Sequence, residues 1–258
     1  MILKNKKALI IGVASKRSIA ASIADSFSQN GAQIALTYQN DKLKSRVEDI
    51  AKNLEPTEDV LLHPCDLSND KDISSLKSYI KDRWGSIDII IHSAAFAPRE
   101  LLSGDFVDNI TRDGFQIAHD ISSYSFTALA KEFRDIINVG GSMITLSYLG
   151  SERVIKNYNV MGLAKASLES NVRYMSQSLG SNNIRVNAVS AGPIKTLAAA
   201  GISGFNEILK HVENKSALRR NITPEEVANT ALFLASSQSS GITGQVIYVD
   251  GGFNISGV

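Results

Sequence analysis

Tyr158 and Lys165 stand seven positions apart in the run Tyr158-Asn-Val-Met-Gly-Leu-Ala-Lys165, and a second tyrosine, Tyr148, lies ten residues upstream. A helix turns about 100° per residue, so this separation makes about two turns and sets both side chains on one helical face. A phenol ordinarily titrates near pH ~10 and a lysine near ~10.4. An ammonium beside a phenol favours the phenolate, so the pair is expected to polarise or protonate an oxygen near neutrality. An isolated pair of this kind more often means a packed tyrosine and a solvated lysine. The residues upstream change that reading.

The 258 residues are 43% hydrophobic and 21% charged, enough for one sizeable core. The formal net charge of +1 gives no global field to recruit nucleic acid or an anionic membrane. Cys65 is the only cysteine, which excludes an internal disulfide framework and a multi-cysteine metal site. The apolar run Ala8-Leu-Ile-Ile11 after Lys4-Asn-Lys-Lys7 is too short for a signal core and leads into a glycine turn. A reducing cytoplasm is therefore the expected compartment. No stretch reaches the ~18 apolar residues that membrane insertion needs. None of the four histidines stands at a metal-ligand spacing from another His or from Cys65, so no metal is expected.

Short apolar runs alternate with amphipathic segments. Strands are expected at 8–11, 33–37, 60–63, 88–92, 141–145, 184–189 and 245–249. Helices are expected at 19–29, 42–53, 69–84, 115–137 and 157–179, with another starting at Thr223-Pro-Glu-Glu226. This alternation predicts an α/β, Rossmann-like, doubly wound parallel sheet of about seven strands with helices on both faces. Without a repeat or linker, residues 1–258 read as a single domain. Such sheets bind ligands at the carboxyl ends of their strands.

The strand ends carry the informative residues. After strand one come Gly12, Ala14, Ser18, Ile19 and Ala20, small enough for a pyrophosphate to approach the backbone and the start of the next helix. After strand two, Gln39 can hydrogen-bond a ribose hydroxyl without charge, while Lys42 and Lys44 suit either a 2′-phosphate or a solvated face. After strand three, Asp66 can accept from an adenine amino group with Leu67 against the ring, or Asp66 can cap the next helix. After strand four, Ser93, Ala94 and Ala97 belong to a run of small residues where a cofactor could lie, and His92 reads as structural. After strand six, Gly192-Pro-Ile194-Lys195-Thr196-Leu197-Ala198 leads to Gly204, an apolar stretch suited equally to a mobile cover around 194–212 or to a poorly packed surface helix.

In this order the motifs resemble the short-chain dehydrogenase/reductase superfamily, with one informative departure. Ordinary members have Tyr-x-x-x-Lys, which would put the tyrosine at Met161, and a serine close to where Tyr148 stands. Gly-x5-Ser-x-Ala with Tyr-x6-Lys is similar to the divergent branch, the bacterial NADH-dependent enoyl-[acyl-carrier-protein] reductases. Thr37 to Lys44, Phe96-Ala-Pro98, Thr145 to Gly150, Arg185 to Pro193 and Val249-Asp-Gly-Gly252 extend the likeness over the whole chain.

The resemblance implies an oxidoreductase of fatty-acid biosynthesis that passes hydride from NADH to trans-2-enoyl thioesters on acyl carrier protein. By position it implies that Gly12, Ser18 and Ile19 hold the pyrophosphate and ribose, and that Gln39 reads the adenosine side. Asp66 and Leu67 would hold adenine, and Ser93, Ala94 and Gly192 would line the cofactor path. Ile194, Lys195, Thr196, Leu197 and Ala198 would meet the nicotinamide end, and Lys165 its ribose. Tyr158 would donate to the thioester oxygen, with Tyr148 nearby in a supporting or proton-donating role, and Ala97 would touch substrate. A homotetramer is implied as well. Relatives place bases on the lid, where this chain has Ser203, Asn206 and Glu207, so carrier docking is expected at Lys210, Lys215, Arg219 and Arg220. The rival readings are an NADPH-dependent ketoacyl or carbonyl reductase and a non-catalytic nucleotide sensor.

Overall fold

The structure, a computed structural model, describes residues 1–55, 60–197 and 199–256. Among these residues seven strands form one sheet: β1 (Lys7–Ile11), β2 (Gln33–Tyr38), β3 (Leu61–Pro64), β4 (Ile87–His92), β5 (Ile137–Ser147), β6 (Arg185–Ala191) and β7 (Val246–Val249). All neighbours are parallel, in the order β3-β2-β1-β4-β5-β6-β7. Leu9 of β1 stands level with Ala35 of β2 on one side and Ile90 of β4 on the other. The strand order changes direction between β1 and β4, which opens a crevice at their carboxyl ends.

Strand periodicity sets the layers. In the fully buried β4, Ile89 and Ile91 face one core and Ile90 the other. Helices α1 (Ile19–Gln29), α2 (Asp41–Ala51) and α9 (Pro224–Ala235) cover the first face; α3 (Asp70–Trp84), α6 (Ser125–Phe133) and α7 (Val160–Leu179) cover the second. Phe27 fills the first layer, and Phe126 and Phe133 the second, all 0% exposed. Burying each stabilises the fold by roughly 1.5–3 kcal/mol. Thr223 and Glu226 form a reciprocal capping box at the start of α9, with Pro224 in its first turn. Asn69 caps α3 through Lys71 N, so Asp66 is not that helix's cap.

Two expected elements differ. The helix read at 115–137 is instead α5 (Arg112–His119), a π-helical turn at Asp120–Tyr124, and α6, preceded by the short α4 (Phe106–Asn109). The π turn is held by serines: Ser122 Oγ accepts from Phe96 N at 2.9 Å and donates to Phe96 O at 3.0 Å. Ser125 Oγ donates to Ile121 O at 2.7 Å and meets His92 Nε2 at 2.8 Å. Apolar periodicity runs on past Phe133, but Ile137 already pairs with Ile87, and a register shift follows before Ser142 pairs with Ile89. The second difference is the start of α7 at Val160 rather than at Asn157. A further helix, α8 (Phe205–Lys215), begins inside the stretch read as a lid and runs three residues past it.

No helix of the described residues is long and apolar enough to cross a membrane. Among them, no group of three His, Cys, Asp or Glu side chains is placed to hold a metal ion.

Candidate active site

A cleft of about 680 Å³ opens at the carboxyl ends of the strands. It brings together eight of the expected residues: Ile19, Ala97, Tyr148, Tyr158, Gly192, Ile194, Thr196 and Leu197. Phe96, Leu102, Met161, Ile202 and Phe205 make its wall predominantly apolar. A volume and lining of this kind suit a small ligand with an apolar part.

Tyr158 does not sit on the helix with Lys165. It precedes α7 in a turn whose flanking residues, Asn157 (φ 64°) and Asn159 (φ 41°), both have positive φ. Asparagine enters this region more readily than most side chains. The Tyr158 ring rests on Gly150, where a Cβ would stand 2.3 Å from Tyr158 Cδ1. Gly150 in turn is tightly packed on α7, since a Cβ on Gly162 would fall 2.6 Å from Gly150 O. The face of the site is therefore set by two glycine contacts and a turn, and not by helical periodicity.

The electrostatics also differ from the expected phenolate. Burial, followed by the nearby Tyr148 and Glu169, pushes the Tyr158 phenol far above its ordinary range. Lys165 Nζ donates to Leu146 O at 2.7 Å. Burial brings Lys165 down to about 8, with Glu169 acting in the opposite direction. Burial and Asp250 push Tyr148 up to about 12, and its buried hydroxyl has no hydrogen-bond partner. Two protonated phenols therefore line the cleft at neutral pH, while Lys165 lies buried behind it and is absent from the cleft wall. An unpartnered buried hydroxyl costs roughly 1–3 kcal/mol, which a ligand acceptor would offset.

The other half of the site fits a dinucleotide. Gly12 has φ 97°, and a Cβ there would stand 2.1 Å from Ser93 O, so the turn after β1 runs hard against the end of β4. Ser18 caps α1, accepting from Ala21 N at 3.3 Å and donating to Ser15 O at 2.7 Å. The first N–H groups of that helix have no intrahelical acceptor and suit a phosphate. Arg17, Lys195, Thr196 and Leu197 line an adjoining pocket beside this turn. The sequence reading passed over Arg17, although a cation between Gly12 and Ser18 was the available signal. Lys195 falls in this pocket and not in the main cleft.

At the far end, Gln39 Nε2 donates to Asp66 Oδ2 at 3.4 Å. Although partial burial opposes it, bonds from Ser68 and Gln39 hold the Asp66 carboxyl below its ordinary value. Leu67 is buried in the second core, with the partly buried Ala94 packed against that cluster. Lys42 and Lys44 are exposed on α2. Ala198 lies outside the described residues.

Sequence reading missed Glu169, Ser147, Ser151 and Ser122. Glu169 Oε1 accepts from Ser151 Oγ at 2.7 Å and from Ser147 Oγ. Its position four residues after Lys165 on α7 was the visible signal. His92 is structural as expected: fully buried, it meets Thr145 Oγ1 and Ser125 Oγ, each at 2.8 Å. Of the bases beyond the lid, Arg220 is engaged by Glu226 at 2.6 and 3.0 Å, and Arg219 donates to Asn214 O. Lys210 is exposed on α8.

Comparison with known proteins agrees with this geometry. A family profile described as enoyl-(acyl carrier protein) reductase matches residues 12–254. The enoyl-[acyl-carrier-protein] reductase [NADH] FabI of Escherichia coli K12 is 53% identical over 253 residues, 98% of this chain and 95% of its own. The solved enoyl-[acyl-carrier-protein] reductase (NADH) of Aquifex aeolicus VF5 superposes with a TM-score of 0.96 at 47% identity, covering 100% of both chains. The Bacillus cereus enoyl-acyl carrier protein reductase, solved with NADP+ and indole naphthyridinone, superposes with a TM-score of 0.97 at 47% identity, covering 100% of this chain and 99% of that one. Since the match runs from the glycine turn after β1 to the residues beyond β7, the chain belongs to the enoyl-(acyl carrier protein) reductase family.

Proposed function

We propose that the chain reduces trans-2-enoyl thioesters on acyl carrier protein, with NADH as reductant, in the last step of each fatty-acid elongation cycle. The observation that carries this reading is the pair of protonated phenols, Tyr158 and Tyr148, on the wall of an apolar cleft next to a dinucleotide-shaped crevice. Bound NADH supplies a hydride to the β-carbon of the enoyl group. Charge then develops on the thioester oxygen, the Tyr158 hydroxyl hydrogen-bonds to it, and a solvent-derived proton taken up at the α-carbon completes the saturated thioester. A donor fixed in advance stabilises what appears only in the transition state. Lys165 spends one N–H on Leu146 O and has its others for the nicotinamide ribose hydroxyls. Burial, with Tyr148 and Glu169 beside it, keeps the Tyr158 phenol neutral, and Tyr148 offers its own unpaired hydroxyl.

Gly12, Ser18 and Ile19 take the pyrophosphate and ribose, with Arg17 and Lys195 supplying positive charge beside them. Gln39 reads the adenosine ribose, Asp66 and Leu67 the adenine. Ser93, Ala94 and Gly192 line the path, and Ile194, Thr196 and Leu197 meet the nicotinamide. Ala97 and Tyr158 touch substrate, and residues 194–212 act as a mobile lid. The carrier docks at Lys210, Lys215, Arg219 and Arg220, the last of which is also paired with Glu226. Tyr124, Leu163 and Tyr174, exposed on the π turn and α7, are surface that further copies cover in a homotetramer. The enzyme works in the cytoplasm.

The test follows oxidation of NADH and of NADPH with a trans-2-enoyl thioester and with a ketoacyl thioester. Turnover of the enoyl substrate with NADH is expected. Turnover of the ketoacyl substrate alone would overturn the proposal, and binding of NADH without any turnover would point to a sensor.

A further inference from the structure

Glu169 is 5% exposed and lies one turn beyond Lys165 on α7. A carboxylate at this depth needs partners. It finds two hydroxyls, those of Ser147 and Ser151. Ser147 ends β5, and Ser151 ends the 3₁₀ turn Leu149–Ser151, so the two serines bracket Tyr148. Lys165 grips the same stretch one residue earlier, at Leu146 O. One helix face thus holds Leu146, Ser147 and Ser151 by three hydrogen bonds, with the Tyr148 side chain between them.

The surroundings give the Glu169 charge a second effect. Among the described residues, the titratable groups that act on or beside Lys165 and Glu169 are His92 from β4, Tyr158 ahead of α7, Tyr148 at the end of β5 and Tyr248 from β7, with Glu152 and Asp250 next to those tyrosines. Lys165 is the only lysine or arginine in this group, and burial works against its charge. Glu169 works for it through space, from the i+4 position.

We propose that Glu169 is a positioning residue for the reduction: it clamps the Tyr148 turn onto α7 through Ser147 and Ser151, and its carboxylate, one helical turn along α7, acts on Lys165, the residue read as the ligand of the cofactor ribose. This rests on the reading of Lys165 as a cofactor ligand. The sign is definite. Without the Glu169 charge, Lys165 loses its proton at lower pH, and NADH affinity falls at lower pH with it.

The test measures the NADH dissociation constant between about pH 6 and about pH 10 for the intact chain and two variants. Glu169→Gln keeps an acceptor for both serines and removes the charge. Its alkaline limb should move down, so that near pH 8 NADH binds roughly tenfold more weakly than to wild type, with about twofold change or less at pH 6. A limb superposable on wild type overturns the proposal. Glu169→Asp keeps the charge and shortens the arm, and it also serves if the glutamine variant does not fold. It should retain the wild-type limb and lower kcat, whereas wild-type kcat would refute the clamp. Lys165→Met is the reference. If it binds NADH with the wild-type pH profile, the assignment of Lys165 is wrong, an outcome distinct from failure of the Glu169 variants.

Discussion

The ring of Tyr158 meets that of Tyr148 edge to face, with centroids 4.9 Å apart and planes at 72°. This is a favoured geometry for two aromatic quadrupoles. It also sets the chemistry. Burial raises the cost of ionising both phenols, with Tyr148 and Glu169 adding to it at Tyr158 and Asp250 at Tyr148, so both keep their protons at neutral pH. In the proposed reduction the site presents neutral donors to the thioester oxygen, and a hydroxyl of this kind gains strength as a donor only when negative charge arrives in front of it.

Removal of one such donor should slow chemistry without disturbing the cofactor. Tyr158→Phe is expected to lower kcat for enoyl thioesters by roughly 10² to 10³ while leaving NADH affinity unchanged. Steady-state kinetics alongside a fluorescence titration of NADH checks both halves. Wild-type turnover in this variant would mean that another group, with Tyr148 first in line, donates to the oxygen.

Lys165→Ala should behave differently, losing cofactor affinity and turnover together. The ammonium is buried and already fixed by Leu146 O, so its deletion removes a preformed ligand. A charged hydrogen bond is worth roughly 1.5–3 kcal/mol, which corresponds to a loss of about tenfold to about a hundredfold in NADH affinity. Unchanged affinity in an equilibrium titration would remove Lys165 from the cofactor site.

Gly150→Ala tests the seat of Tyr158. The added methyl would stand 2.3 and 2.7 Å from two ring carbons, so the ring has to move. Overpacking of this kind costs roughly 1–3 kcal/mol. A lower Tm and a reduced kcat are expected, with NADH affinity near wild type, because Gly150 lies on the phenol side of the site. An unchanged kcat would show that the ring position is not critical to proton donation.

His92 should make the fold sensitive to acid. Burial, with Lys165 nearby, lowers its folded-state value to about 3 from an ordinary value of 6.5. The unfolded chain therefore binds a proton that the folded chain refuses between those values. Stability contributed by neutral His92 is complete above about 6.5 and is lost as pH falls, at no more than about 1.4 kcal/mol per pH unit. Urea unfolding across that window should show a flatter pH dependence for His92→Gln. An equal slope in both proteins would mean that other groups control acid unfolding.

Much of the molecule was legible from residue types because strand periodicity and strand-end composition are local signals. Ile89, Ile90 and Ile91 announce a strand buried on both faces, and Gly12 with Ser18 announces a turn into a helix. The break at Asp120–Tyr124 was not legible, since it depends on Ser122 bonding Phe96, a partner 26 residues away. The reach of Tyr158 was misread for a similar reason. Apolar spacing through Met161 extends the helix backward in sequence, whereas Asn159 ends it in space. The clamp at Glu169 escaped because its serines lie 18 and 22 residues upstream, on a different element.

The turn around Tyr158 has a consequence for how such sites diversify. Asn157 and Asn159 carry the chain through two positive-φ positions before α7 begins, and Asn159 Nδ2 is tied to Gly104 O at 3.3 Å. The tyrosine is thus presented by a hinge-like preface, while the lysine is borne by the helix proper. Residue counting between the two measures contour length and not distance. Lengthening or shortening that preface would move the Tyr158 hydroxyl across the cleft wall, while α7 and the Lys165 hydrogen bond to Leu146 O stay where they are.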